Sequence, residues 1–171
     1  MVDWTVEIET SRAIAAQILR HRSFNFQEFS QRYATVDQLG DEMIQMVELR
    51  PRAATNRQGS DEVNSLPFPH SLKTMVVNHL SNCKELYRRL IEEGVAPECA
   101  RMVLPLATTT RLYMKGSVRS WIHYFAVRAS SHHAQKEHRV LAEKVFELFE
   151  RQFPTVAAAI TAEAAATKNP G

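Results

Sequence analysis

The chain is 171 residues long, 44% hydrophobic and 23% charged, with a net charge of +2 at neutral pH. That length holds one domain with its own core, and the composition is that of a globular protein. The small net charge argues against a nucleic-acid partner, no apolar run approaches a membrane span, and Cys83 and Cys99 show no zinc-ligand spacing.

With no signal peptide, the expected compartment is the reduced cytoplasm, the host cell's for a viral chain. The opening VDWTVEIET alternates apolar and polar residues, with Val2, Trp4, Val6 and Ile8 on one face, which predicts a half-buried strand. A strand so close to Met1 is expected to find its pairing partners in a missing segment or in another chain. Thr10 or Ser11 then caps a helix over SRAIAAQILRHR, residues 11–22. The segment from Asp37 to Arg57 carries no single pattern: MIQMVEL is compatible with a short strand, interrupted by Pro51, and the polar run from Arg50 to Pro67 predicts a mobile loop.

Ser71 is the expected cap of a long helix ending at Gly94. Leu72, Met75, Val76, His79, Leu80, Cys83, Leu86, Tyr87, Leu90 and Ile91 recur at three and four, a stripe for the core or a subunit interface. On it His79 is expected packed and Cys83 buried. PECARMVL predicts a short helix ending at Pro105, TTTRLYMKGS a strand, and SVRSWIHYFAVR a helix with Val118, Trp121, Ile122 and Phe125 on one side. AQKEHRVLAEKVFELFERQF is an amphipathic helix on which His138 is expected at the surface. The Ala-rich end is a last helix fraying into a tail. This order predicts a compact α+β domain of mixed helices and an antiparallel sheet over 1–154, with the Ala-rich helix and tail at 155–171.

The densest chemistry lies in RHRSFNFQEFSQRY, residues 20–33. Arg20, Arg22, Arg32, Glu28 and Ser30 sit among Phe24, Phe26, Phe29 and Tyr33. Guanidinium groups offer a planar fork of donors for phosphate and carbonyl oxygens, and the aromatics either stack on a ring or pack the core. Arg101, Arg111, Arg119 and Arg128 form a second series. Spaced arginines suit a small anion with several phosphates, although any one of them taken alone reads as a solvated surface residue. Composition alone leaves the function undecided.

Arg20-His21-Arg22 followed by seven residues and Ser30, with Gln17 before and Gln31-Arg32-Tyr33 after, resembles the signature of flavin-dependent thymidylate synthases. TSRAIAAQ and FQEFSQRY resemble the algal-virus and cyanophage-like branch of that family. ECARMVLPL at 98–106, MKGSVRSWIHYFAVR at 114–128 and AQKEHR at 134–139 resemble later family segments in the same order. The resemblance runs from about Trp4 to about Pro154.

It implies a homotetramer with active sites between subunits, and the reductive methylation of dUMP to dTMP. FAD would be the cofactor, with NADPH and 5,10-methylenetetrahydrofolate as co-substrates. Gln17, Arg20 and Arg101 match dUMP contacts, as do Glu28, Phe29, Ser30, Gln31 and Arg32, which the family supplies from a neighbouring subunit. Arg20, His21, Arg22, Glu28, Ser117, Val118, Arg119 and His123 match flavin positions, and Arg128 matches the catalytic arginine at the uracil ring. His132 and His133 compete for a further flavin-facing position, with His133, adjacent to Ala134-Gln135, the choice. Ser30 reads as a hydrogen-bonding residue, because no His–Asp pairing is recognisable to make it a nucleophile.

The sequence departs from the family in two places. A His-rich N-terminal segment with flavin contacts is expected ahead of Met1, and Gln135 falls one residue later than the commoner spacing after Arg128. Other readings are a related pyrimidine C5 methylase or hydroxymethylase, a truncated non-catalytic nucleotide-binding homologue, and, with least support, an RNA binder. No metal site and no membrane association are expected.

Overall fold

The computed structural model describes residues 2–31, 43–53, 59–60, 68–129 and 134–168, with side chains as far as 162. The architecture is α+β: a small antiparallel sheet and six helices among the described residues. The sheet has the order β1-β3-β2, with β1 Asp3–Ser11, β2 Asn25–Glu28 and β3 Thr109–Ser117. The chain divides into two compact units, one of residues 1–6 and 115–171 and one of residues 7–114.

In the unit of residues 7–114, β1 buries Ile8, as the sequence predicts, and also Thr10, while Glu7 and Glu9 face outward. Ser11 ends the strand and caps α1 Arg12–Ile18, its Oγ accepting from the Ile14 N–H at 3.4 Å. The helix is shorter than expected. It stops at Leu19, and the chain turns there, Arg20 N–H donating to the Gln17 carbonyl and His21 N–H to that of Ile18. Beyond the turn, Asn25–Glu28 pairs as a strand that its local pattern does not announce.

No strand forms over MIQMVEL. Ile44 makes a single bridge to Thr108, and residues 45–50 are irregular, with Glu48 and Arg50 paired locally at 2.7 Å. Of the expected loop, residues 54–58 and 61–67 lie outside the described residues.

Helix α2 spans His70–Glu92, preceded by Pro69 and not by a capping Ser71. Gly94, at φ 80, supplies the left-handed stop that a side chain would resist. Of its apolar stripe only Leu80 and Tyr87 are buried, whereas Met75 is 67% and Leu86 47% exposed. His79 is therefore not packed but exposed, 3.7 Å from Sγ of a half-buried Cys83. Met43, Tyr87 and Ala100 form a core cluster with Phe29, Leu90, Val95 and Leu104 against it. Ala100 comes from α3, Pro97–Ala100, which runs into a 3₁₀ turn at Arg101–Val103 before Pro105.

In the other unit, Ser117 caps α4, Val118–Arg128, followed by α5, Lys136–Gln152, and α6, Pro154–Lys168. An aromatic core joins α4 and α5 to Trp4 of β1. Trp121 meets Trp4 edge-on at 5.0 Å and stacks on Phe125 at 5.8 Å, while Phe149 contacts Trp4, Phe125, Phe146 and Phe153. The Trp121 indole N–H donates to the Trp4 carbonyl at 3.2 Å.

His138 corrects the sequence reading, being completely buried rather than at the surface. It shares the α5 face of Ala142, Val145 and Phe149, and its Nε2 lies 3.2 Å from the Tyr124 hydroxyl. Burial pushes the Tyr124 hydroxyl above the ordinary tyrosine range, opposed by the positive charge of Arg128.

Candidate active site

In the unit of residues 7–114 the candidate residues fall on one turn and the strand after it. Gln17 lies in the last turn of α1, half-buried, and Arg20 and Arg22 are exposed in the turn that follows. His21 is half-buried against Phe24, ring centroids 6.4 Å apart, and Phe24 in turn meets Phe26 at 6.2 Å. The aromatics thus seat the turn and leave the two arginines outside.

The residues after the turn are held by neighbours distant in sequence. The Thr110 hydroxyl, buried in β3, donates to Glu28 Oε1 at 2.9 Å. Phe29 N–H donates to the Arg111 carbonyl, and its side chain packs on the Met43–Tyr87–Ala100 cluster. Phe29 therefore anchors the segment, with only its carbonyl left for a ligand. Ser30 is exposed, and Gln31 is buried with Oε1 accepting from Arg12 at 2.8 Å. Arg101 is half-buried and directs Nε at the Glu98 carbonyl at 3.4 Å. Arg32 lies outside the described residues.

The Thr110–Glu28 bond is a buried donor on an ionisable acceptor, worth about 1.5 kcal/mol or more. Thr110→Val, which keeps the shape and removes the hydroxyl, is expected to lower unfolding stability by about that amount in a urea titration.

In the other unit the candidates sit on α4. The Ser117 hydroxyl accepts from Ser120 N–H at 3.2 Å and so serves as the helix cap. Val118 N–H donates to the Val2 carbonyl, which leaves it no backbone donor for a ligand. Arg119 and His123 are exposed one turn apart, and Arg128, half-buried, ends the helix. His132 and His133 lie outside the described residues.

Charge pairing separates the arginines. Arg111 bridges Glu7 and Glu9, Arg89 pairs with Glu85, Arg139 with Glu143, and Lys115 with Asp3. Among the described residues, Arg20, Arg22 and Arg119 have no carboxylate partner. Arg12, Thr110 and the Tyr124–His138 pair escape a reading of the sequence, because each works through a residue that no local motif connects to it. Among the described residues, no group of three or more His, Cys, Asp or Glu side chains is placed to hold a metal ion, and no helix is long and apolar enough to cross a membrane.

The fold is α+β, and in each unit exposed arginines without a carboxylate partner among the described residues offer a planar fork of donors of the kind that suits phosphate oxygens. A sequence model of the thymidylate synthase complementing protein family matches residues 1–155. The chain belongs to that family. It is 48% identical over 164 residues to a flavin-dependent thymidylate synthase of Synechocystis sp., covering 94% of this chain and 72% of that protein. It is 43% identical over 161 residues to a probable flavin-dependent thymidylate synthase of Paramecium bursaria Chlorella virus 1, covering 91% and 70%. The solved structure of a UMP/dUMP methylase, PolB, from Streptomyces cacaoi bound with 5-Br dUMP is similar with a TM-score of 0.73 at 25% identity, covering 94% of this chain and 70% of that one.

Proposed function

We propose that the chain is a flavin-dependent thymidylate synthase, which converts dUMP to dTMP with 5,10-methylenetetrahydrofolate as carbon donor and NADPH as reductant. The observation that carries this reading is that Arg20, Arg22 and Arg119, which match the family's ligand-binding positions, are exposed and have no carboxylate partner among the described residues. The donor set fits FAD: guanidinium groups for the pyrophosphate, and His21 and His123 for the polar edge of the ring system. FAD, when bound, supplies the redox chemistry that the new methyl group requires.

The protein's own part is to hold and polarise the pyrimidine. Gln17, Arg20 and Arg101, with Glu28 to Arg32 of a neighbouring subunit, fix the nucleotide, and fixing the ring is where positional catalysis comes from. Arg128 places a permanent positive charge at the uracil oxygens and stabilises the negative charge that gathers there as C5 becomes electron-rich. It does not remove a proton, since guanidinium keeps its own. Ser30 contributes a hydrogen bond. The exposed apolar face of α2, Leu72, Met75 and Leu86, supports assembly into a homotetramer. The free thiols of Cys83 and Cys99 suit the reduced cytoplasm.

The test is the visible absorption spectrum of the purified chain after incubation with FAD and removal of free flavin. A bound-flavin spectrum perturbed by dUMP is expected, and a colourless protein counts against a complete flavin site in this chain. Arg22→Ala is expected to weaken flavin retention about tenfold, the loss of one charge-assisted hydrogen bond.

A second reading is a C5 methylase for another pyrimidine nucleotide, favoured by the likeness to a UMP/dUMP methylase. Turnover of UMP in preference to dUMP would establish it.

A further inference from the structure

Gln31 is 2% exposed, and its Nε2 is a buried donor without a hydrogen-bond partner among the described residues. A buried amide N–H without an acceptor forfeits the hydrogen bonds it made to water, so its presence asks for a reason. The other end of the same amide is engaged, Oε1 accepting from Arg12 Nη1 at 2.8 Å. Guanidinium only donates, so the amide can face Arg12 in one orientation alone, carbonyl toward the arginine and NH2 away from it.

Arg12 has a fixed base from which to do this. Its backbone N–H donates to the Thr108 carbonyl at 2.9 Å and that of Ala13 to the Leu106 carbonyl at 3.0 Å, while Ser11 caps the helix they begin. The neighbour of Gln31 on the chain is the exposed Ser30. A donor pair is therefore oriented by Arg12 in the segment that carries the exposed Ser30, and no group among the described residues accepts from it.

We propose that Arg12 is a positioning residue for the nucleotide site: it locks the Gln31 amide so that its NH2 donates to an oxygen of the bound pyrimidine nucleotide. The role rests on the pyrimidine-nucleotide reading above. Arg12 itself does not touch the substrate. It removes the amide's freedom to flip, and a flipped amide would present its oxygen to an oxygen of the ligand. The nucleotide in turn satisfies the donor that folding leaves unmatched.

The experiment is calorimetric titration of dUMP into the full chain, beside thermal unfolding, for Arg12→Met and Gln31→Glu. Arg12→Met keeps the aliphatic stem and loses the donor, and is expected to weaken dUMP about tenfold, the worth of one oriented hydrogen bond. Gln31→Glu gives Arg12 a carboxylate and removes the NH2. It is expected to weaken dUMP at least as much while its unfolding temperature stays at or above that of the wild type. The double variant is expected to bind dUMP no more weakly than Gln31→Glu alone, because the arginine acts only through the amide. A purely structural Arg12 would move stability without affinity. Wild-type affinity in both single variants overturns the positioning role and leaves the nucleotide reading standing. A wild-type chain that binds neither dUMP nor UMP overturns both.

Discussion

Arg128→Ala is expected to keep its flavin and to lose turnover by roughly 100- to 1000-fold at saturating dUMP, the usual loss when one preorganised donor is removed from the developing charge of a transition state. The side chain ends α4, where a cation also favours the helix C-terminus by about 0.3–1 kcal/mol. Some loss of stability therefore accompanies the substitution, and Arg128→Lys separates the two effects. Lysine restores the charge at the helix end but not the planar two-pronged donor, so stability recovers while rate does not. The positive charge of Arg128 is felt at the buried Tyr124 hydroxyl one turn earlier, which ties it to the packed side of the helix as well as to its open end. The readout is turnover of dUMP beside equilibrium flavin binding. Normal turnover in Arg128→Ala removes electrostatic activation by this residue from the mechanism.

The parts of the molecule legible in the sequence are those whose signal is periodic or punctuated. The alternation through Trp4, Val6 and Ile8, the cap offered at Thr10 or Ser11 and found at Ser11, the stop at Gly94 and the amphipathic pattern of residues 134–153 read onto β1, α1, α2 and α5, whereas Val2, expected on the buried face, is 60% exposed. β2 did not, because four residues of weakly alternating burial pair with a strand more than eighty positions away, and no local pattern encodes that partner. The site divides in the same way. Its arginines stand in motifs, whereas Thr110 reaches Glu28 across 82 positions and Arg12 reaches Gln31 across 19. His138 is a different lesson. Its spacing to Ala142, Val145 and Phe149 sets it on the buried face, and that pattern outweighs the general preference of polar side chains for the surface. The exposed stripe of α2 shows the reverse case, an apolar periodicity that the single chain leaves largely uncovered.

Trp121→Ala is expected to be the most destabilising single change among the described residues, at about 3–5 kcal/mol out of the roughly 5–15 that hold a domain of this size. The indole is completely buried, packs on Trp4, Tyr124 and Phe125, and satisfies the Trp4 carbonyl through its N–H. Alanine removes the ring, leaves a cavity and strands that carbonyl. Trp121→Phe keeps much of the packing and loses the hydrogen bond, so it is expected to retain more than half of the lost stability. Val127, exposed on the same helix, is the control, since its change to alanine is expected to stay within about 0.5 kcal/mol. Urea unfolding followed by circular dichroism measures all three, and a cost below about 1 kcal/mol for Trp121→Ala would show that the aromatic cluster is not the core of its unit. The consequence for function distinguishes this residue from Arg128. Trp121 is the buried anchor of the helix that carries the exposed Arg119 and His123 and the half-buried Arg128. Its loss is therefore expected to lower flavin binding and turnover together, in step with the unfolded fraction, and both are expected to return on cooling well below the variant's midpoint. In Arg128→Ala the protein is folded at every such temperature, and turnover stays lost.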